Sequence, residues 1–179
     1  MFNNKATIAV LGPTQDPLKP DVGQLARDLG YTLGDAGYTI VTLGNQGVSE
    51  HAIQGAVRAN GATVQVLATG ETAVEASQST AIEAPSSFGR LEAVLKIADG
   101  VMVLPGDLEA LAIVLQIWSY GLTRQGPYRQ VVLTGPGWSE IVTNLASAAG
   151  LDARERAMLT FAENAASGVE SLRYFVPPA

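Results

Sequence analysis

Asp99-Gly-Val-Met-Val-Leu-Pro-Gly-Asp-Leu-Glu-Ala-Leu-Ala-Ile-Val-Leu-Gln-Ile-Trp118 is the stretch whose reading decides the fold. Val101 to Leu104 is continuously apolar and rich in β-branched residues, the pattern of a strand covered on both faces. Pro105-Gly106 is a turn. The helix that follows is apolar nearly all round, through Leu108, Leu111, Ile113, Val114, Leu115, Ile117 and Trp118. Such a helix requires burial on more than one side. In open α/β sheets, ligands sit beyond the carboxyl ends of the strands. The Pro105–Glu109 turn is therefore expected to face a site.

Before this stretch, Ala6–Leu11 reads as a strand and Gly12-Pro-Thr-Gln-Asp-Pro as a loop of turn formers. Asp21 is expected to cap a helix running to about Ala36, with Val22, Leu25, Ala26, Leu29 and Leu33 on one face and Gly37 as its stop. Tyr38–Leu43 is a second strand and Gly44-Asn-Gln-Gly47 a tight loop. Val48–Asn60 is a second helix, stopped by Gly61, and Ala62–Ala68 a third strand. Thr69–Ser87 has a weaker pattern and reads as a long loop with a short helix. Loops of that length are often functional or mobile. Phe88–Ala98 returns to helical periodicity. After the central stretch come a strand at Arg129–Thr134 and helices at Trp138–Ala149 and Asp152–Met158. A short strand at Leu159–Ala162 and a helix at Asn164–Tyr174 follow. Strands alternating with helices predict right-handed βαβ units and a mostly parallel, doubly wound sheet. The expectation is one three-layer α/β/α domain spanning 1–179.

Composition narrows the function. The 179 residues are 47% hydrophobic and 16% charged, which argues against disorder. Net charge is −6, with no basic stripe to meet a phosphodiester backbone, so no nucleic-acid partner is expected. The absence of cysteine excludes disulfides, thiolate catalysis and Cys-based zinc sites, and a single histidine excludes a conventional His-based zinc site within one chain. No cofactor or resident metal is expected. The opening Met-Phe-Asn-Asn-Lys leads directly into a strand-like run, unlike a signal peptide, and no apolar stretch is long enough to span a bilayer. A cytoplasmic protein with no membrane partner is the expectation. No G-x-S-x-G elbow or P-loop lysine motif is present.

Two stretches together resemble a known family. Thr42-Leu-Gly-Asn-Gln-Gly-Val-Ser-Glu-His-Ala-Ile-Gln-Gly-Ala56 resembles the Gly-rich strand–loop–helix T-G-G-G-G-G-I-M-E-A-x-x-x-G-A of molybdenum-cofactor-carrier-like proteins, within the wider LOG or "lysine decarboxylase-like" group of Rossmann-like proteins. Arg90 to Trp118 resembles the pattern R-K-x-x-x-x-x-x-A-D-x-x-x-x-L-P-G-G-x-G-T-x-x-E without a gap. Arg90, Ala98, Asp99, Leu104, Pro105 and Gly106 fall on it. The resemblance implies a Rossmann-like fold. It also implies cleavage of the N-glycosidic bond of nucleoside 5′-monophosphates, with the Arg and the final Glu tied to catalysis, and assembly as dimers or larger homo-oligomers.

The departures bear on that chemistry. Leu91 replaces the Lys. Asp107 and Glu109 replace two glycines, Ala110 the Thr, and Ile113 stands at the position of the catalytic Glu. In the first motif Asn45 and Gln46 interrupt the glycine run, while Gly44, Gly47 and Glu50 remain. Glycines there let backbone N–H groups reach a phosphate at a helix N-terminus, where the helix dipole favours an anion. Asp107 is placed to act as N-cap and fill the amides near Glu109 and Ala110, a bond worth ~1 kcal/mol. Two carboxylates beside a phosphate also repel it by roughly 1 kcal/mol per close pair even when solvated.

Each candidate has two readings. Asp107 and Glu109, beside Gly106, are either ordinary first-turn acids or the lining of a pocket for a cationic, hydroxyl-rich or metal-bearing ligand. Gly12, Pro13 and Thr14 form either a turn or a phosphate- or base-binding loop. Gly44, Asn45, Gln46 and Gly47 form either a turn needing positive φ or a ligand loop with Glu50 beyond it. Arg90, at a helix start where the dipole offers a cation nothing, either meets a ligand or pairs with Glu50, Asp107 or Glu109. His51 reads as a solvated helix face, and Trp118 and Trp138 as packing residues.

Three functions follow from these alternatives. The first is a non-catalytic binder of a nucleotide or nucleotide-like small molecule at the carboxyl ends of the strands. The second is an active phosphoribohydrolase in which Arg90 acts with Glu109, one helical turn before Ile113, supplying the carboxylate for an oxocarbenium-like state. The third is an interaction module that has lost its ligand. The apolar 108–118 helix also calls for cover beyond the sheet, which a second subunit would supply.

Overall fold

The computed structural model describes residues 5–86, 89–123 and 129–178. Ser87 and the expected helix start at Phe88 lie outside them. The β-branched runs form strands β1 (Thr7–Leu11), β2 (Thr39–Leu43), β3 (Thr63–Leu67), β5 (Gly100–Val103), β6 (Gln130–Thr134) and β7 (Leu159–Ala162), with β4 (Ser79–Glu83) between β3 and β5 in the chain. Among the described residues they make one seven-stranded sheet in the order β4-β3-β2-β1-β5-β6-β7. Every pairing is parallel, with Thr7 beside Thr39 and Ile8 beside Gly100 setting the central register. All residues of β1, β2, β3 and β5 are buried, as a sheet covered on both faces demands.

Helices α1 (Pro20–Asp35), α2 (Val48–Arg58) and α7 (Ala165–Phe175) cover one face. There Ile8, Val10, Ile40 and Met102 meet Ala26, Leu29, Ala52 and Val169. Helices α3 (Gly89–Ile97), α4 (Leu108–Thr123) and α5 (Trp138–Ala149) cover the other, and the short α6 (Ala153–Arg156) precedes β7. On this side Ala9, Leu11, Val41, Val101 and Val103 meet Val94, Ile113, Ile117 and Trp138. Alternate residues of each strand thus serve opposite faces of the sheet. Trp118 and Trp138 are packing residues, 4% and 2% exposed.

Three local expectations are corrected. Asp21 does not cap α1: Lys19 is the N-cap residue, it makes no side-chain capping bond, and Pro20 opens the helix with its fixed φ. Asn60, at φ 53°, takes the left-handed position after α2, and Gly61 follows it, donating to Ala56 O at 2.8 Å in a Schellman closure. The 69–87 segment contains no helix among its described residues but does contain β4. That strand is half polar because it lies at the sheet edge, with Thr80, Ala81 and Glu83 exposed. The buried Gln65 of β3 anchors its approach: its side-chain amide donates to Val74 O and Ser79 Oγ, both at 2.8 Å, and accepts from Val74 N at 2.8 Å. The sheet covers only one side of α4, as its all-round apolar sequence leads one to expect. Ala110, Ile113, Val114, Ile117 and Trp118 are buried, while Leu108 and Leu115 are 77% and 42% exposed.

From β1 the sheet grows outward through β2, β3 and β4, and on the other side through β5, β6 and β7. The topological switch point therefore lies between the turns that follow β1 and β5. No described helix is long and apolar enough to cross a membrane.

Candidate functional site

Three turns converge at the carboxyl ends of the central strands: 12–14 after β1, 44–47 after β2 and 105–107 after β5. Pro13 is wedged between the other two. A Cβ on Gly47 would stand 2.4 Å from Pro13 O, and a Cβ on Gly106 would stand 2.4 Å from Pro13 Cγ. Gly47 also has φ +59°, so its side-chain-free backbone is required twice over. Gly12 lies beneath them, where a Cβ would meet Val48 Cγ2 at 2.9 Å. Val48 N–H, the first amide of α2, donates to Pro13 O at 2.9 Å.

The acids of the α4 turn are internal partners. Asp107 Oδ1 accepts from Ala110 N at 2.9 Å, the capping bond expected from the sequence. Glu109 reaches across the switch point to Thr14. Its Oε2 accepts from Thr14 N at 3.1 Å, and the Thr14 hydroxyl lies 2.9 and 2.8 Å from its two oxygens. The crevice that commonly receives a ligand in this architecture is thus spanned by the protein's own carboxylate. The Asp16 carboxylate stands 3.4 Å from Gly47 N on the same rim.

Some of the candidate residues line two clefts, while Gly12, Pro13, Gly47, Glu50 and Glu109 line neither. One, of about 100 Å³, is polar and is lined by Thr14, Gln15, Leu43, Gly44, Asn45, Gln46, Glu71 and Arg90. The other, of about 460 Å³, lies over the α4 and α5 turns. It brings Gly106 and Asp107 together with Lys19, Val22, Leu108, Trp138 and Ile141.

In the polar cleft Arg90 pairs with Glu71, not with Glu50, Asp107 or Glu109 as expected. Its Nη1 lies 2.9 and 3.2 Å from the two Glu71 oxygens, and Glu71 Oε2 also accepts from Ala68 N at 2.8 Å. Arg90 Nε is buried without a hydrogen-bond partner among the described residues. Gly44, at φ +84°, makes room for the guanidinium: a Cβ there would stand 3.2 Å from Arg90 Nη1. Asn45 Nδ2 donates to Thr72 O at 2.6 Å, tying the β2 turn to the loop after β3. Glu50 does not line the cleft; it accepts from Gln54 Nε2 at 3.0 Å one turn along α2.

Sequence reading missed Gln15, Leu43 and Glu71. Glu71 sits in a loop without periodicity, and its one available signal was position, since the turn after β3 must lie beside the turn after β2. His51 is not a solvated face. It packs against Gly23 of α1, and its Nδ1 lies 2.8 Å from Arg27 Nη1. Because Arg only donates, that nitrogen is the acceptor and the ring proton is on Nε2. No group of His, Cys, Asp and Glu suited to a metal occurs among the described residues. Ile113 is 5% exposed and belongs to the core, so α4 brings no carboxylate from that position.

Solved structures share this architecture over nearly its whole length. The molybdenum cofactor binding protein from the phototrophic bacterium Rippkaea orientalis is 23% identical, with a TM-score of 0.74 over 96% of this chain and 98% of that one. The molybdenum cofactor carrier protein MCP from Chlamydomonas reinhardtii is 21% identical, with a TM-score of 0.72 over 96% and 98%. Identities at this level establish a common fold. No curated protein is significantly similar in sequence. The model of the SLOG cluster4 family matches residues 5–121, which carry both the Gly44–Gly47 turn and the Arg90–Trp118 stretch, and the chain belongs to the SLOG cluster4 family.

Proposed function

We propose that this protein is a non-catalytic binder of a nucleotide or nucleotide-like small molecule, held at the carboxyl ends of β1, β2 and β3. One observation carries the reading: the polar cleft keeps the family-type arginine, Arg90, beside the Gly44–Gln46 turn, while the position of the catalytic carboxylate is the buried Ile113. The cleft retains a means of recognition without a free acid or base poised on a substrate. The names of the two neighbouring structures, a molybdenum cofactor binding protein and a molybdenum cofactor carrier protein, support a binding or carrier role.

The hydrolase reading has less support. Glu109, the carboxylate one helical turn before Ile113, already accepts from both Thr14 donors, and Asp107 is taken by the Ala110 amide. Incubation with a panel of nucleoside 5′-monophosphates is expected to release no free base, even at high enzyme concentration. Release would revive the hydrolase. A thermal-shift panel of nucleotides, sugar phosphates, pterins and molybdenum cofactor tests binding directly. A ligand at 100 times its Kd adds ~2.7 kcal/mol of stability, and a flat response across the panel would leave only the interaction module.

We also propose self-association through α4. The exposed Leu108 and Leu115 lie on one helical stripe with the half-buried Leu111 between them.

A further inference from the structure

We infer that the Arg90 cleft reads the base of its ligand and selects a 6-oxopurine, of the guanine or hypoxanthine type, over a 6-aminopurine. Arg90 is the residue that sets this choice. This rests on the small-molecule-binding reading above and specifies its ligand.

A guanidinium is planar and only donates, through N–H groups in a fixed fork. Glu71 takes one corner of that fork, with its two oxygens 2.9 and 3.2 Å from Arg90 Nη1. Nη1 is the corner on the Cδ side. The opposite edge, Nε–H beside Nη2–H, is left over. Among the described residues every side-chain hydrogen bond of Arg90 is made by Nη1, and Nε is buried without a partner. The group is also held in place. Its side chain is only 18% exposed, and Glu71 is itself anchored by the Ala68 amide. A buried donor left without an acceptor is costly, so this edge calls for an acceptor pair from a ligand.

Two coplanar acceptors side by side match the edge. In a 6-oxopurine they are O6 and N7, the pair through which arginine reads guanine in DNA. In a 6-aminopurine N7 remains, but the exocyclic group is an amine, and a donor then faces a donor. The other polar groups of the cleft make no such distinction. Gln15, Asn45 and Gln46 carry amides that both donate and accept and would serve either base. A carboxylate also fits the fork, but charge favours the base. The lining carries one cation and one anion, Arg90 and Glu71, and they are already paired. An incoming anion would find no uncompensated cation there, whereas a neutral base edge needs none. At about 100 Å³ the cleft suits one ring system. Pockets that enclose whole drug-sized ligands run to roughly 300–1,000 Å³.

The test is isothermal titration of the full chain with guanosine, inosine, adenosine and 7-deazaguanosine. Inosine keeps O6 and N7 and is expected to bind more tightly than adenosine. Adenosine, with an amine in place of O6, and 7-deazaguanosine, with carbon in place of N7, are each expected to bind about tenfold or more weakly than guanosine. Arg90→Gln replaces the donor-only fork with an amide that serves either base. It is expected to close the gap between guanosine and adenosine, its folding checked by circular dichroism. Should that variant not fold, the 7-deazaguanosine comparison on the natural chain decides. Equal binding of guanosine and adenosine by the natural chain overturns the inference and leaves the small-molecule reading standing. So does displacement of guanosine by acetate, which would show that the edge takes an oxyanion. A gap that persists in folded Arg90→Gln overturns the assignment to Arg90. Silence from all four probes also overturns the inference, and the broader reading then falls only if the wider thermal-shift panel is flat as well.

Discussion

Thr14 and Glu109 show how a single pair of residues can close a site that the fold would leave open. The carboxylate bridges the turn after β1 to the first turn of α4, ninety-five positions along the chain. Thr14→Val keeps the shape and removes the hydroxyl. It leaves the half-buried carboxylate one donor short and is expected to cost ~1–3 kcal/mol. Urea denaturation measures this, and an unchanged midpoint would show that water replaces the hydroxyl without loss. Tyr38 offers a second residue-scale test. Its hydroxyl donates to Val176 O at 2.6 Å, and burial raises the phenol above its ordinary 10.0, with Arg173 partly opposing the rise. The folded protein therefore holds the phenolic proton more firmly than the unfolded chain does. That stabilisation is complete below about pH 10 and is lost as pH climbs through the folded value. Melting temperatures from about pH 9 to pH 11 should fall more steeply for the natural chain than for Tyr38→Phe. Parallel curves would remove Tyr38 as the cause.

Among the elements, α1 and α2 make the tightest contact. A Cβ on Gly30 would stand 2.0 Å from Ala52 O, and a Cβ on Gly55 would stand 2.0 Å from Arg27 O. The two helix backbones touch at reciprocal glycines. Gly55→Ala would gain ~1 kcal/mol of helix propensity in an isolated helix. Here it must push α1 away, so a net loss of about 1–3 kcal/mol or more is expected. Denaturant melts measure that loss, and a stabilised variant would contradict the packing. The same helices show what periodicity can and cannot reveal. The apolar stripe of α1 was readable from Val22 to Leu33, yet its start was not, because Pro20 fixes the first turn where Asp21 offered a more familiar cap. Strand β4 was illegible for a related reason. An edge strand satisfies one side of its backbone from β3 and leaves the rest to solvent, so its sequence needs no apolar run.

At the scale of the whole molecule, the uncovered side of α4 is the feature that isolated packing leaves unresolved. Leu108 and Leu115 remain exposed after the sheet has taken its share. Light scattering at micromolar concentration is expected to report a dimer or larger assembly, and Leu108→Asp with Leu115→Asp to reduce it to monomer. A monomeric natural chain would overturn self-association. The parallel α/β architecture itself was legible from strand and helix periods, because burial on both faces leaves unbroken β-branched runs that few other folds require. The chain by itself also determined that Asp107 would cap α4, a matter of neighbours a few residues away, while the family resemblance marks Ile113 as standing where the motif has its Glu. Tertiary structure alone decided that Glu109 belongs to Thr14, that Arg90 belongs to Glu71 and that Thr14, Gly44, Asn45, Gln46 and Arg90 share one cleft while Gly106 and Asp107 line another. Those pairings join segments 95 and 19 residues apart. They are set by which strands the sheet places side by side, and local sequence carries no record of that adjacency.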